Sequence, residues 1–228
     1  MWNVNRIFGD ASPSGDFRTN TQLINASYGG FDFIKPTAYA YLIDLTDPDK
    51  ENSSTASFGL RLKGATPLAD DWKALYTAEY AHQTDFAESN VGNNHNYYTV
   101  ELGLAATGIA SRFDVTGKIG WEVLDGDGTR AFQTPLATLH AFNGWTDRFL
   151  STPVNGIQDF YSSLGIKAYG VSVLGIYHDF RAEQGGLNHG TEWGVRIART
   201  FFDHLTLAAK YANYSAEDTS VDTEKLWL

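Results

Sequence analysis

The stretch that decides the fold is 96–123, NYYTVELGLAATGIASRFDVTGKIGWEV. Its first half alternates apolar residues such as Val100 and Leu102 with polar ones, and its second half does the same around Ile119 and Trp121. Because successive side chains of a strand point to opposite faces, each half is predicted to form a strand with one apolar and one polar face. The connection between the two halves is short.

The same alternation continues along the chain and predicts twelve strands or part-strands. Several runs reach about 10 residues, which is longer than most strands of soluble proteins and close to the length of about 9–11 residues that a tilted strand needs to cross a membrane. We therefore predict an all-β fold, an antiparallel up-and-down transmembrane β-barrel. The predicted strands are 1–8, 20–28, 34–44, 55–64, 72–82, 96–105, 112–123, 158–168, 171–181, 191–200, 205–213 and 223–228.

The connections between the predicted strands alternate in length. Short turns at one rim and long loops at the other are typical of an outer-membrane barrel, and a soluble meander has no reason to keep this rhythm. The long connections are 9–19, 45–54, 83–95, 124–157, 182–190 and 214–223.

Charge and composition exclude several classes of function. The 228 residues include 17 Lys and Arg against 27 Asp and Glu, a net charge of −10. Nucleic acid is not expected as a partner, because phosphate binding requires a basic patch. The absence of cysteine excludes disulfides, thiolate metal sites and cysteine catalysis. No run of about 18 apolar residues predicts a transmembrane helix.

Acidic residues gather in the long connections. These connections hold 14 acidic and 4 basic residues, which accounts for the whole net charge of −10. Two interpretations remain open: the acids solvate exposed loops, or they screen solutes at one rim through their field.

Aromatic residues lie near the ends of the predicted apolar bands, where interfacial girdles of a barrel require amphipathic rings. A sandwich core would produce the same alternation, but strand length, the rhythm of the connections and the shortage of charge on the apolar face favour lipid. The aromatic residues are Trp72, Tyr80, Tyr98, Trp121, Tyr177, Phe180, Trp193, Phe201, Phe202 and Tyr211.

Four segments resemble the bacterial outer-membrane alginate export family. They are 131–150 (AFQTPLATLHAFNGWTDRFL), which is the most specific, 2–9 (WNVNRIFG), 177–181 (YHDFR) and 225–228 (KLWL). The resemblance implies a large, monomeric, porin-like β-barrel in the bacterial outer membrane. It also implies export or uptake of an anionic polysaccharide or another solute.

The extent of the chain departs from that family, whose members are longer and contain more strands. The resemblance therefore implies that 1–228 is a single outer-membrane β-barrel domain and the C-terminal part of a larger barrel. Twelve strands are an even number, so closure of a smaller barrel is the alternative. The chain also ends at Leu228 without the aromatic residue that normally closes such barrels.

If the apolar face points outward, the opposite face collects charged residues inside the barrel. One interpretation is a track of cations that binds sugar carboxylates, for which the planar fork of arginine is suited. The other is a set of cross-strand salt bridges that stiffens the wall, with Glu79, Glu101, Asp114, Glu122, Asp179 and Glu192 as the acids. The predicted solute-binding residues are Arg61, Lys63, Lys118, Lys167, Arg181, Arg196 and Lys210.

The connection 124–157 is long enough to have a role of its own, since loops beyond about 12–15 residues are usually functional or disordered. Its many apolar and aromatic residues argue against disorder. We expect it to fold into the lumen and narrow it; a structured cap on the extracellular rim is the alternative. The predicted constriction residues are Phe132, His140, Trp145 and Arg148.

Signals for catalysis or metal binding are weak. The six histidines are scattered, and His178 and Asp179 are adjacent on one strand, so their side chains point to opposite faces. The segment 125–128 (DGDG) resembles the start of a calcium loop but lacks the distal glutamate, and we interpret it as a turn. We therefore expect no enzymatic activity, no metal and no cofactor.

The sequence thus predicts a passive channel in the bacterial outer membrane for anionic polysaccharide or small solutes. Its expected partners are outer-membrane lipid and an anionic oligosaccharide, polysaccharide or other small solute, and the barrel is expected to be monomeric. The alternative is a soluble or surface carbohydrate-binding β protein in which loop aromatics such as Trp145 stack on sugar rings.

Overall fold

The computed structural model describes residues 2–5, 16–135, 142–202 and 204–228, with side chains from residue 18 onward. The only helix in these residues is a single 3₁₀ turn, Glu51–Ser53, so none is long and apolar enough to cross a membrane. The strands are β1 Trp2–Asn5, β2 Asp16–Thr19, β3 Gln22–Ser27, β4 Ile34–Ile43, β5 Thr55–Ala69, β6 Trp72–Asp85, β7 Asn94–Ile109, β8 Phe113–Leu124, β9 Ile157–Ala168, β10 Val171–Arg181, β11 Asn188–Phe201, β12 Leu205–Ala216 and β13 Thr223–Trp227.

Strands β3 to β13 form one sheet of 11 strands in chain order, and every neighbouring pair is antiparallel. β1 pairs with β2, and a bridge between Thr19 and Leu45 joins the end of β2 to the chain beyond β4. The predicted all-β, antiparallel, up-and-down fold is confirmed.

The structure differs from the predicted strands at two points. The predicted strand 20–28 is part of a bent strand made of β2 and β3, because Asn20 N donates to Asp44 O and Thr46 N donates to Arg18 O across the break. Most strands also continue further: β5 has 15 residues and β7 has 16. The added ends lack a clear alternation of apolar and polar residues, as in 65–69 (ATPLA) of β5, although backbone pairing continues.

The sheet is open. In the described part of the chain, β13 lies at one end, β3 lies at the other, and the two do not pair with each other. These 11 strands therefore do not close a barrel by themselves.

Connection lengths alternate as predicted from the sequence. After β5, β7, β9 and β11 the chain turns within two or three residues, and these turns form the short-turn rim. The opposite, long-loop rim carries 44–54, 86–93, 125–156, 182–187 and 217–222.

The strand register separates two faces, which we name after their side chains. On the apolar face Leu60 lies opposite Tyr80, and Val100 lies opposite Trp121. About half of the surface of each of these side chains is exposed, and nothing in the described residues covers the face. Contiguous apolar exposure on this scale is rare on soluble monomers. The polar face carries the residues in between, including Glu79 and Lys118.

An aromatic belt crosses the apolar face near the long-loop rim. Tyr98 contacts Trp121 edge to face with ring centroids 5.5 Å apart, and Trp193 contacts Tyr211 at 5.2 Å. The belt consists of Tyr80, Tyr98, Trp121, Phe160, Tyr177, Trp193 and Tyr211. Phe180 was predicted with these residues but is fully buried on the polar face. It lies three positions after Tyr177, and an odd offset along a strand places a side chain on the opposite face.

Aspartates of the long loops accept backbone N–H groups and thereby fix the loop ends. Asp85 accepts from Gly92 at 2.8 Å, Asp125 from Asn96 at 2.6 Å, and a third bond runs from Asn188 to Asp218. Ionised carboxylates form stronger hydrogen bonds with N–H donors than neutral acceptors do. These bonds favour a structural role for part of the acidic excess at this rim.

Glycines on the polar face let tyrosine rings lie flat across a neighbouring strand. The Tyr161 ring of β9 covers Gly120 of β8, so its hydroxyl reaches Glu101 of β7 at 3.1 Å. Tyr39 of β4 crosses Gly59 of β5 in the same way and donates to Glu79 of β6 at 2.7 Å. Each tyrosine therefore connects three strands.

We expect Gly120→Ala to destabilise the sheet, because the new Cβ would overlap the Tyr161 ring and displace its hydroxyl from Glu101. Overpacking of this kind lowers the free energy of unfolding by about 1–3 kcal/mol. Urea unfolding of the detergent-refolded protein, followed by tryptophan fluorescence, measures the loss. Gly117→Ala is the matched control, since it lies on the same strand and the nearest atom to its Cβ is 4.0 Å away. Equal stability of the two variants would contradict the role of this packing.

Candidate functional site

Six of the seven predicted solute-binding residues lie on the polar face. Arg61 and Lys63 are on β5, Lys118 is on β8, and Lys167 is on β9. Arg196 of β11 and Lys210 of β12 complete the set and are direct cross-strand partners. Lys167 is exposed toward the short-turn rim. The other five residues form two groups on the polar face, one on β5 and β8 and one on β11 and β12.

Arg181 lies on the opposite face. It is the last residue of β10 and shares its side with Tyr177 of the aromatic belt, because the two are an even number of residues apart. Its guanidinium forms two hydrogen bonds with Asp179, at 3.0 and 2.9 Å, and both residues sit beyond the belt at the long-loop rim. The prediction that Arg181 and Asp179 line the interior therefore does not agree with the register.

The first group of cations lines a groove of about 460 Å³ on the polar face of β5 to β10. Arg61 Nε is 3.5 Å from Glu79 Oε2, and Lys118 Nζ is 2.9 Å from Glu101 Oε1. Lys63 has no ion pair or hydrogen bond with any described side chain. The groove therefore has features of both interpretations of the sequence: carboxylates that form ion pairs within the wall, and cations that remain accessible.

The second group consists of Arg196 and Lys210, which face each other directly. Like charges placed opposite one another disfavour strand pairing. The Lys210 ammonium lies 5.1 Å from the Trp145 ring centroid and 4.4 Å from that of Trp227, and cation–π attraction offsets part of the repulsion. Arg196 has no carboxylate partner among the described residues, so this side of the polar face is locally positive.

The first part of the long loop 125–156 packs on the polar face. Phe132 is buried against Tyr97, with ring centroids 5.7 Å apart. Gln133 N donates to the Gln83 side chain at 2.9 Å, and the Gln83 amide donates back to Gln133 O at 2.8 Å. This end of the loop is thus attached to β6 and β7.

The second part of the loop is attached to β11. Glu192, which is 1% exposed, accepts the backbone N–H of Trp145 and that of Thr146, the latter at 3.1 Å. The Trp145 ring lies on Gly194, where a Cβ would come within 2.6 Å of it. A buried carboxylate that binds two amides requires the loop to stay in place, because its release would leave the charge without partners.

The end of the loop reaches β12 and β13. Phe149 contacts Phe180 at 4.7 Å and Tyr214 at 5.9 Å between ring centroids, and Lys225 Nζ donates to Asp147 at 2.7 Å. The loop therefore spans the polar face from β6 to β13.

The predicted constriction residues have different positions. Phe132 and Trp145 are buried contacts with the wall, and Arg148 binds the Ser220 hydroxyl at the long-loop rim. His140 lies outside the described residues. None of the three described side chains projects freely into the groove.

Two loop residues that sequence reasoning did not select lie over the groove instead. Phe142 is 57% exposed, and Asn143 donates to Glu122 at 2.9 Å. The loop bends at Asn143–Gly144, where both residues have positive φ. This pair is the sequence signal for the bend, since asparagine and glycine adopt positive φ most readily.

His178 has a buried partner on the neighbouring strand. Its Nδ1 lies 2.9 Å from both carboxylate oxygens of Asp159, and its ring stacks on Phe180 at 5.2 Å. The sequence correctly placed His178 and Asp179 on opposite faces, and pattern alone could not find a partner on another strand.

The segment that resembles a calcium loop is a turn in the structure. Asp127 accepts backbone N–H groups of its own turn, from Thr129 and Arg130, both at 2.7 Å. The hydrogen bonds from Arg130 and Thr129 hold the pKa of the Asp127 carboxyl below its usual value. This carboxylate is already used to close the turn.

Two solved structures of outer-membrane porins from Pseudomonas aeruginosa share the fold. OccK10 (OpdN) is 15% identical with a TM-score of 0.66, and the match covers 94% of this chain and 64% of that one. OpdQ is also 15% identical, with a TM-score of 0.67, and the match covers 98% of this chain and 57% of that one. The chain thus spans less than two thirds of either porin.

At this identity the likeness establishes the fold. It supports a porin-like architecture and does not extend to the alginate export family in particular. No protein-family model matches the chain, and no curated protein matches it either.

We expect Glu192→Ala to release the loop from β11, because two buried amides lose their acceptor. An unsatisfied buried donor costs about 1–3 kcal/mol, which corresponds to a rise of about 5-fold to 150-fold in local opening. Trypsin cleavage after Arg148, followed by mass spectrometry, measures this opening.

Glu217→Ala is the matched control, since Glu217 is an exposed residue of another long loop and accepts no hydrogen bond from the described residues. Equal cleavage rates in the two variants would show that Glu192 does not hold the loop.

Proposed function

We propose that this chain forms much of the wall of a bacterial outer-membrane channel through which small anionic solutes diffuse passively. The observation that carries the proposal is the division of one long-stranded sheet into an exposed apolar face with an aromatic belt and a polar face that holds six of the seven predicted solute-binding residues. A charge on the lipid side of a barrel costs about 2–4 kcal/mol at the midplane, whereas a wet lumen accepts it.

Location in the outer membrane is part of the proposal. Strands β5 to β12 are 11 to 16 residues long, which reaches or exceeds the length of about 9–11 residues that a tilted strand needs to cross a membrane. The belt of tyrosine and tryptophan rings fits the boundary between lipid and water. The porin fold of the two Pseudomonas structures supports the same location.

Selectivity for anions rests on the two groups of cations. Lys63 and Arg196 have no carboxylate partner among the described residues, and Arg61 is half exposed beside Glu79. Carboxylates of a passing solute can therefore bind these groups without first breaking an ion pair at Lys63 or Arg196. Uronate units of alginate or of another acidic polysaccharide are one solute of this chemistry, and small organic acids are another.

The loop 125–156 is proposed to narrow the channel. It crosses the polar face from β6 to β13 and brings Phe142 and Asn143 over the groove. The carbohydrate-binding alternative has less support, because the Trp145 ring lies on Gly194 and is only 9% exposed. It offers no free face to a sugar.

We expect Lys63→Gln combined with Arg196→Gln to lower the ratio of anion to cation permeability, because two accessible positive charges leave the polar face. The reversal potential across a planar bilayer in a KCl gradient, with the detergent-refolded protein inserted, measures this ratio. A twofold to tenfold decrease corresponds to about 0.4–1.4 kcal/mol of lost attraction.

Arg181→Gln combined with Arg199→Gln is the matched control, because it removes two positive charges from the other face. An equal change in this control would assign the effect to net charge rather than to the polar face. Because the sheet is open, absence of stable current steps with the parent protein would show that this chain does not form a conducting pore without further strands.

A further inference from the structure

A second cavity adjoins the groove of cations and lies at the long-loop end of the polar face. Its volume is about 580 Å³, within the range of about 300–1,000 Å³ that is typical of small-molecule sites. Strands β3 to β8 form its floor, and residues 132–135, 142, 143 and 149 of the long loop form its roof. The residues that line both this cavity and the groove are Glu79, Tyr97, Glu122, Phe142 and Asn143.

The walls of this cavity are mainly aromatic. Tyr39 and Tyr41 stack with ring centroids 4.7 Å apart, and Tyr97 packs against Phe132. Phe142 lies exposed beside them. Aromatic faces carry negative potential and attract cations, most strongly where several rings surround the same space.

The charged side chains of the cavity are acidic. Among the described residues that line it, Glu79 and Glu122 are the only charged ones, and none is lysine or arginine. The Tyr39 hydroxyl donates to Glu79 and the Tyr97 hydroxyl donates to Glu122, each at 2.7 Å. The two carboxylates are therefore fixed behind the rings, and Arg61 approaches Glu79 from the neighbouring groove.

The approach to the cavity has the same sign. The lining residues Ile43 and Leu124 end β4 and β8 at the long-loop rim, and the loops that follow carry more acids than bases: Asp47, Asp49, Glu51, Asp125 and Asp127 against Lys50 and Arg130, with Asp47 paired to Arg18 and Lys50. A cluster of like charges at an entrance raises the local concentration of the oppositely charged solute.

We propose that this cavity binds an organic cation of the quaternary ammonium class, with the cationic head between the rings of Tyr39, Tyr41 and Phe132 and in front of Glu79. An organic anion would meet the carboxylates of Glu79 and Glu122, whereas the described lining residues include no lysine or arginine. A neutral sugar could stack on the rings, but it carries no positive charge to interact with the carboxylates. The site goes beyond the proposed passage of anions, which depends on Lys63, Arg196 and the adjoining groove.

The test is calorimetric titration of the detergent-refolded protein with choline, glucose and benzoate as separate probes. We expect choline to bind most tightly of the three, and Glu79→Gln to weaken its binding because the charge is lost while the acceptor for Tyr39 remains. Tyr41→Leu should weaken choline binding about fivefold to tenfold, the range given by loss of one cation–π contact, and Tyr41→Phe should not.

Tyr80→Leu is the matched control for the ring, since it removes a tyrosine from the apolar face, and Glu101→Gln is the control for the carboxylate in the groove. Tighter binding of glucose or benzoate than of choline would overturn the proposal, as would equal choline affinity of the Tyr41→Leu and Tyr41→Phe variants. Reversal potentials of the lysine and arginine variants test the anion channel independently, so failure of one proposal is distinguishable from failure of the other.

Discussion

The alternation of side chains along hydrogen-bonded antiparallel strands is the constraint on which the rest of this structure depends. A shift of one residue in register would exchange the two faces of a strand, bringing charge to the apolar side and aromatic rings to the polar side. Tyrosines that cross a glycine to reach a carboxylate two strands away, such as Tyr161 over Gly120, add a second restraint on register, because the hydroxyl meets Glu101 only in the observed pairing.

The loop 125–156 uses the polar chemistry of the wall for its own attachment. Glu192 and Glu122, which the alternation places among the interior acids, accept donors from the loop rather than from a lysine or arginine. As a result, the carboxylates and the cations of the polar face are only partly paired with each other. Arg196, on the same strand as Glu192, and Lys63 have no carboxylate partner among the described residues.

Much of the fold could be predicted from the sequence because it depends on local periodicity. The alternation around Val100 and Trp121 extends over the whole chain, and it placed six basic residues on the correct face. Arg181 was misplaced because the apolar pattern was not carried past Tyr177 to the end of the strand. The path of the loop could not be predicted, since it depends on contacts such as that of Trp145 with Glu192, 47 residues away.

The contacts at the two ends of the loop together connect distant strands of the open sheet. Gln133 binds β6, whereas Trp145 and Asp147 bind β11 and β13, so the strands between them are held at a set curvature by side-chain contacts within the chain. Curvature of a sheet turns its two free edges, here those of β3 and β13, toward each other. The conformational entropy that is lost when the sheet is fixed in a curved shape is then lost when this chain folds. It is not lost later, when the free edges pair.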